Sequence, residues 1–269
     1  MNGAEALRAV FDGARAAGSR ALITYLCAGD PDPQETYDLL LAVAEGGTDI
    51  IELGIPFSDP AADGPVIQQA SQRALQAGTR VRDALDACRR FTDERPDVPV
   101  VLFGYWNPWH RLGATRTAAL AAEAGAAGML VVDLPLEESE ELDAACAAKG
   151  LARVLLAAPT ADRARLARIS ARATGFVYVV SLMGVTGRAL VQMDAARALT
   201  ADLASLSDLP VAVGFGVDGP ERAREVSSFA DGVVVGSALV ARIAGAGTAA
   251  DRRVAAREFT ATLKRSLST

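Results

Sequence analysis

Between residues 50 and 65 the chain reads IIELGIPFSDPAADGP, and Glu52, Asp59 and Asp63 are its acids. Glu52 follows Ile50 and Ile51 with no turn residue between them. In an extended strand it therefore shares a face with Ile50, while Ile51 faces the other way. A carboxylate committed to an apolar layer costs on the order of several kcal/mol unless it is paired or shifts its pKa, so Glu52 is a candidate general acid or base. A residue inside a strand has no turn-forming role to explain it. Pro56, Pro60, Gly64 and Pro65 keep most of the following span out of regular helix or central strand. In such a loop Asp63 is a second candidate for chemistry, whereas Ser58 and Asp59 fit a capping or turn role equally well.

Two further groups of residues carry chemical meaning. Three glycine-rich turns, GVTG at 184–187, VGFGV at 213–217 and VVGSA at 234–238, would each be only a tight turn if taken alone. Together on the late loops of one domain they suit a phosphate. Gly236 and Ser237 matter most, because they end a strand and open a short helix whose free N–H groups and positive dipole end favour an anion. Tyr25, Phe103, Tyr105, Asn107, Asp133 and Tyr178 fall at other strand ends and could wall an aromatic ligand, though each also suits ordinary core packing.

The residues that are scarce narrow the mechanism. Lys149 sits at a helix end before Gly150 and Lys264 in the last helix; these are the only lysines, and neither is placed for a Schiff base. His110 is the only histidine, which argues against a His-rich zinc site or a Ser-His-Asp triad. Carboxylates alone could hold Mg²⁺. The favoured chemistry is carboxylate acid/base catalysis on a phosphorylated small molecule.

The elements that must position these residues alternate. Residues 4–17 have the spacing of an amphipathic helix that covers something rather than starting the sheet, and it reads as a lid. Apolar runs at 21–26, 49–53, 98–105, 128–133, 152–159, 176–181, 211–213 and 232–236 read as eight strands. Helices fill the intervals, at 34–45, 66–76, 80–91, 115–124, 137–149, 162–171, 194–206 and 220–228, and again from 237 and over 249–268. Gly46-Gly47 reads as a left-handed C-cap. WNPW after the third strand reads as loop, and LMGVTGRALVQMDA after the sixth as a long mobile loop. This order predicts a single (β/α)₈ TIM barrel over residues 1–269, with an extra N-terminal helix and additional short helices. A doubly wound open sheet is disfavoured, since no GxGxxG follows the first strand.

Composition agrees with a large buried core: 269 residues are 51% hydrophobic, and the net charge is -6. That acidity, with no basic stripe among aromatics, argues against nucleic acid. No long apolar stretch indicates a membrane span or a signal peptide. Cys27, Cys88 and Cys146 are odd in number and widely spaced, which suits reduced thiols in a cytoplasmic protein.

From the first strand through ELGIPFSDPAADGPVIQ to GVTG, GFGV and VGSALV, the chain resembles the tryptophan synthase alpha subunit family. The resemblance implies a TIM barrel that cleaves indole-3-glycerol phosphate to indole and glyceraldehyde 3-phosphate, without metal or organic cofactor in this chain. It implies that Glu52 and Asp63 are catalytic. Tyr178 and Phe215 would lie near the substrate, with Tyr25, Phe103 and Tyr105 read from their strand-end positions as further substrate contacts, and Gly187, Gly216, Gly236 and Ser237 would lie against the phosphate. It also implies an alpha2beta2 complex with a pyridoxal-phosphate-dependent beta subunit, with Asp59, Pro60 and Thr186 in loop closure and partner communication. Where some members have Ser-Arg-Ala before GVTG, this chain has Ser181, Leu182 and Met183, a departure that bears on loop closure and not on the acid pair. The alternatives are a stand-alone lyase releasing free indole, a catalytically silent barrel kept as an allosteric partner, and another phosphate-binding barrel acting on a sugar phosphate.

Overall fold

The apolar runs fold as strands β1 (Ala21–Cys27), β2 (Ile50–Gly54), β3 (Val100–Gly104), β4 (Gly128–Val131), β5 (Ala152–Arg153), β6 (Leu155–Ala157), β7 (Val177–Val179), β8 (Val211–Val213) and β9 (Gly232–Val235). The computed structural model of the chain describes residues 1–180, 189–214 and 216–268, and of residues 189–192 the backbone alone. Among the described residues all strand pairs are parallel, in the order β5-β4-β3-β2-β1-β9-β8-β7-β6. Because β5 pairs with β4 and β6 pairs with β7, these two consecutive pieces are one stave, and the sheet is a (β/α)₈ barrel.

The fifth strand, expected as a continuous run over 152–159, is broken at Val154. Arg153 supplies the reason. Its amide donates to the Thr174 hydroxyl at 2.7 Å instead of to a strand. Its buried guanidinium donates to Asp143 at 2.8 Å and to the Met129 carbonyl at 3.1 Å.

The helices are α1 (Gly3–Ala16), α2 (Thr36–Glu45), α3 (Pro65–Gln76), α4 (Val81–Glu94), α5 (Trp106–His110), α6 (Ala114–Glu123), α7 (Glu140–Ala148), α8 (Arg163–Arg172), α9 (Ala189–Ala204), α10 (Pro220–Ser227), α11 (Ser237–Gly245) and α12 (Ala249–Ser266). Two expectations change. WNPW is not loop but the short helix α5, entered from Tyr105 in an extended conformation. Helix α9 begins at Ala189, five residues before the expected start, so the long loop is shorter than its lack of periodicity suggested. Residues 181–188 lie outside the described residues. Gly47 does take the left-handed conformation, with φ 93°.

Strand alternation sorts the core into two layers. Leu22, Ile51, Leu53, Leu102, Met129, Val177, Val213 and Val233 face the helices. Ile23, Ile50, Val101, Leu130, Tyr178, Ala212 and Val234 fill the barrel. Helix α1 joins the inner layer through Leu7 and Phe11, both fully buried. Phe11 lies 5.5 Å from Phe176, centroid to centroid, and against Gly232, at the N-terminal ends of the strands. The helix read as a lid therefore plugs the end of the barrel opposite the strand-end loops. No described helix is long and apolar enough to cross a membrane.

Candidate active site

Strand β2 places Glu52 in the inner layer, beside Tyr25 on β1 and Val101 on β3 in register. Its side chain is 1% exposed, and its Oε1 has no hydrogen-bond partner among the described residues. Burial alone pushes the carboxyl up to about 8. Near neutral pH it is mostly protonated, the state of an acid ready to give a proton.

Asp63 comes from the loop after β2. Its amide donates to the Pro60 carbonyl at 3.0 Å, and Gly64 then hands the chain to Pro65, the first residue of α3. The Gln68 side-chain amide holds the Asp63 carbonyl at 2.9 Å. The half-buried carboxyl is pushed up to about 6 by desolvation, against a hydrogen bond from Tyr105 that lowers it. Tyr105 is itself fixed: its hydroxyl accepts from the Ala62 amide at 2.9 Å, and its ring stacks on Phe57 at 5.2 Å. At neutral pH Asp63 is thus largely ionised while Glu52 is largely not, two carboxyls set apart by environment.

Both acids line one cavity of about 410 Å³ at the C-terminal ends of the strands. Tyr25, Phe103 and Tyr178 form its aromatic wall, with Tyr25 edge-on to Phe103 at 5.2 Å. Burial, first of all, raises the phenols of Tyr25 and Tyr178, so both stay protonated donors. Gly54 and Gly214 make room for them, since a Cβ at either position would stand 2.2 Å from the tyrosine oxygen.

The far end of the cavity holds Gly216, Gly236 and Ser237. Gly216 has φ 61°, a conformation glycine adopts without strain. Gly236 is the N-cap of α11, no side chain caps that end, and the first helical bond runs from the Val240 amide to the Gly236 carbonyl at 3.0 Å. The N–H groups of the first turn are left free of helical partners, which suits an oxyanion.

Other expected residues fall elsewhere. Asn107 and Asp133 belong to a separate cleft with Trp106 and His110, where Asp133 accepts from the Trp106 amide at 2.6 Å. Tyr105 stands behind Asp63 rather than on the cavity wall. The exposed Asp59 accepts from the Ser58 hydroxyl at 2.6 Å, and Pro60 edges a surface cleft beside Gln68 and Gln72. Thr186, Gly187 and Phe215 lie outside the described residues. Val66, Ile67, Val217 and Asp218 also line the cavity and were not singled out from sequence. Their signal was position alone: Val66 and Ile67 follow the acidic loop, Val217 ends the VGFGV turn and Asp218 comes next. Among the described residues no group of three or more His, Cys, Asp or Glu could hold a metal ion.

A parallel barrel with a protonated and an ionised carboxyl in one strand-end cavity, and a helix N-terminus at its far end, defines a TIM-barrel acid/base enzyme. The comparisons are more specific. The family model described as tryptophan synthase alpha chain matches residues 11–267. The tryptophan synthase alpha chain of Rhizorhabdus wittichii is 47% identical over 261 residues, 97% of this chain and 96% of that one. The counterpart of Thioalkalivibrio sulfidiphilus is 49% identical over 87% of this chain and 88% of its own length. Among solved structures, tryptophan synthase subunit alpha from Legionella pneumophila superposes with a TM-score of 0.90 at 36% identity, covering 99% of this chain and 98% of that one. A chain of the Mycobacterium tuberculosis tryptophan synthase gives 0.90 at 38% identity over 98% of each. The chain belongs to the tryptophan synthase alpha chain family.

Proposed function

We propose that this chain, a lyase of tryptophan biosynthesis, cleaves indole-3-glycerol phosphate with Glu52 and Asp63 as its catalytic pair. The observation that carries the assignment is Glu52: buried, without a partner at Oε1, raised to about 8, and facing the cavity that Asp63 shares.

The protonated Glu52 gives its proton to indole C3. Positive charge develops at the indole nitrogen, whose N–H the Asp63 carboxylate accepts. The Glu52 carboxylate then takes the proton of the hydroxyl on the carbon bonded to C3. The O–H electron pair becomes the aldehyde C=O, the C3–C bond breaks, and its electrons restore the indole ring. Indole and glyceraldehyde 3-phosphate leave, and Glu52 is protonated again.

Tyr25, Phe103 and Tyr178 would hold the indole, and Tyr105 would orient Asp63. Gly216, Gly236 and Ser237 would take the phosphate through backbone N–H groups. The chain itself needs no organic cofactor for this chemistry. Its partner is a beta subunit that carries pyridoxal phosphate, in an alpha2beta2 assembly, with Asp59 and Pro60 on the loop that communicates between them. Cytoplasmic location fits three free, buried cysteines.

Indole release from indole-3-glycerol phosphate, measured with and without a beta subunit, tests the whole reading. Weak release alone, strong stimulation by the partner, and loss of about 10²-fold or more in both Glu52→Gln and Asp63→Asn are expected. Equal turnover by wild type and Glu52→Gln with the partner present would overturn the mechanism.

A further inference from the structure

The cavity that takes the phosphorylated substrate holds no lysine or arginine among its described lining residues, but three acidic residues: Glu52, Asp63 and Asp218. The first two have roles in the cleavage. Asp218 has none there. It follows Gly216 and Val217 on the connection from β8 to α10, on the same stretch as the glycine assigned to the phosphate, and it is exposed.

No described side chain neutralises it. On α10, the Arg222 guanidinium is committed to Glu225 at 2.6 Å. On α11, Arg242 stacks over the Phe259 ring at 4.2 Å. Asp218 makes no ion pair with a described residue. A phosphate held at Gly216, Gly236 and Ser237 is thus bound by backbone N–H groups while a free carboxylate stands at the rim.

We propose that Asp218 is a specificity residue that weakens the site's hold on the phosphate dianion through like-charge repulsion, so that phosphate alone binds poorly and the phosphorylated product is released readily. This rests on the phosphate assignment made above. Selectivity then falls on the indole end, because the phosphate end contributes less to binding than its N–H groups would without the carboxylate.

Asp218→Asn keeps the shape and removes the charge. Repulsion between one carboxylate and a dianion several Å away in largely aqueous surroundings amounts to about a three- to tenfold change in affinity. The Asn variant, assayed with the beta subunit present, is expected to lower KM for indole-3-glycerol phosphate and the inhibition constant of glycerol 3-phosphate by that factor, without a rise in kcat. Asp218→Ser should act in the same direction, which removes any special role for the amide. The gap between variant and wild type should shrink to under about twofold at roughly 0.5 M salt, where the screening length falls to a few Å. Asp86→Asn, an equal charge change on the exposed face of α4, should leave both constants unmoved.

Glycerol serves as the uncharged probe. If wild type is inhibited by glycerol 3-phosphate far more than by glycerol, yet Asp218→Asn and Asp218→Ser match wild type, the role given to Asp218 is wrong and the phosphate site stands. If wild type does not distinguish the two probes, the phosphate site and the inference fall together.

Discussion

Replacing Glu52 by glutamine keeps the size of the side chain and removes its ability to ionise, which turns the burial of this acid into a measurable stability difference. In the folded chain the carboxyl is raised from 4.5 to about 8 by desolvation. An acid whose folded pKa lies above its unfolded value binds its proton more tightly when folded. It therefore costs nothing below the unfolded value, destabilises progressively as pH climbs between the two, and reaches its full cost above the folded value. At about 1.4 kcal/mol per pH unit, the cost grows by about 3 kcal/mol between roughly pH 5 and pH 8. For a chain of this length each kcal/mol moves the midpoint by about 2 °C. The melting temperature of Glu52→Gln relative to wild type should therefore rise by about 6 °C across that range, whatever the offset at the acid end. Scanning calorimetry of both proteins over the pH series makes the measurement, and indole release should be lost in the same variant. A difference in melting temperature that stays flat from pH 5 to 8 would falsify the claim that Glu52 sits neutral in an apolar seat.

Substitutions at four further positions probe the packing around the pair and at the opposite end of the barrel. Gly54→Ala or Gly214→Ala puts a methyl 2.2 Å from the hydroxyl of Tyr25 or Tyr178, so either should displace a cavity-wall tyrosine and cost about 1–3 kcal/mol; thermal melts paired with KM show it, and an unchanged KM would refute it. Asp30, 5% exposed, receives Arg73 of α3 through two bonds of 2.7 and 2.9 Å. Arg73→Met should therefore destabilise by about 2–4 kcal/mol in urea titrations, with Arg73→Lys recovering part; equal loss in both would argue against a charge-dependent tie. Phe11→Ala should cost about 3–5 kcal/mol while leaving kcat intact at low temperature, because its cavity opens at the far end of the barrel from Glu52.

Much of this could be read from residue order alone. Alternation around Ile50, Ile51 and Glu52 was sufficient to aim the acid inward, since a strand allows its side chains only two directions. The glycine that ends β9 and the serine that opens α11 were legible because a strand-to-helix junction leaves N–H groups unpaired. Where the reading fell short, long-range partners decided. Arg153 breaks a continuous apolar run because Thr174 and Asp143, distant in sequence, claim its amide and guanidinium. Asn107 and Asp133 follow the third and fourth strands much as Asp63 follows the second, but Asn107 falls within α5 and Asp133 accepts from the Trp106 amide, so both belong to a neighbouring cleft. Asp218 gave no signal of its own: an acid before Gly-Pro reads as a turn, and only the fold brings it to the rim of the cavity.

Helix α1, with Leu7 and Phe11 seated at the base of the barrel, separates two kinds of mutational history. Changes near that seat alter how many molecules survive in the folded form and leave each survivor working at its usual rate. Loss of the Glu52 carboxyl instead removes the working group, and since the buried acid is itself a burden on the fold, loss of function there can arrive with a sturdier protein. A lineage drifting away from catalysis would therefore gain thermal tolerance at the top of the barrel while the packing at its foot stayed under selection.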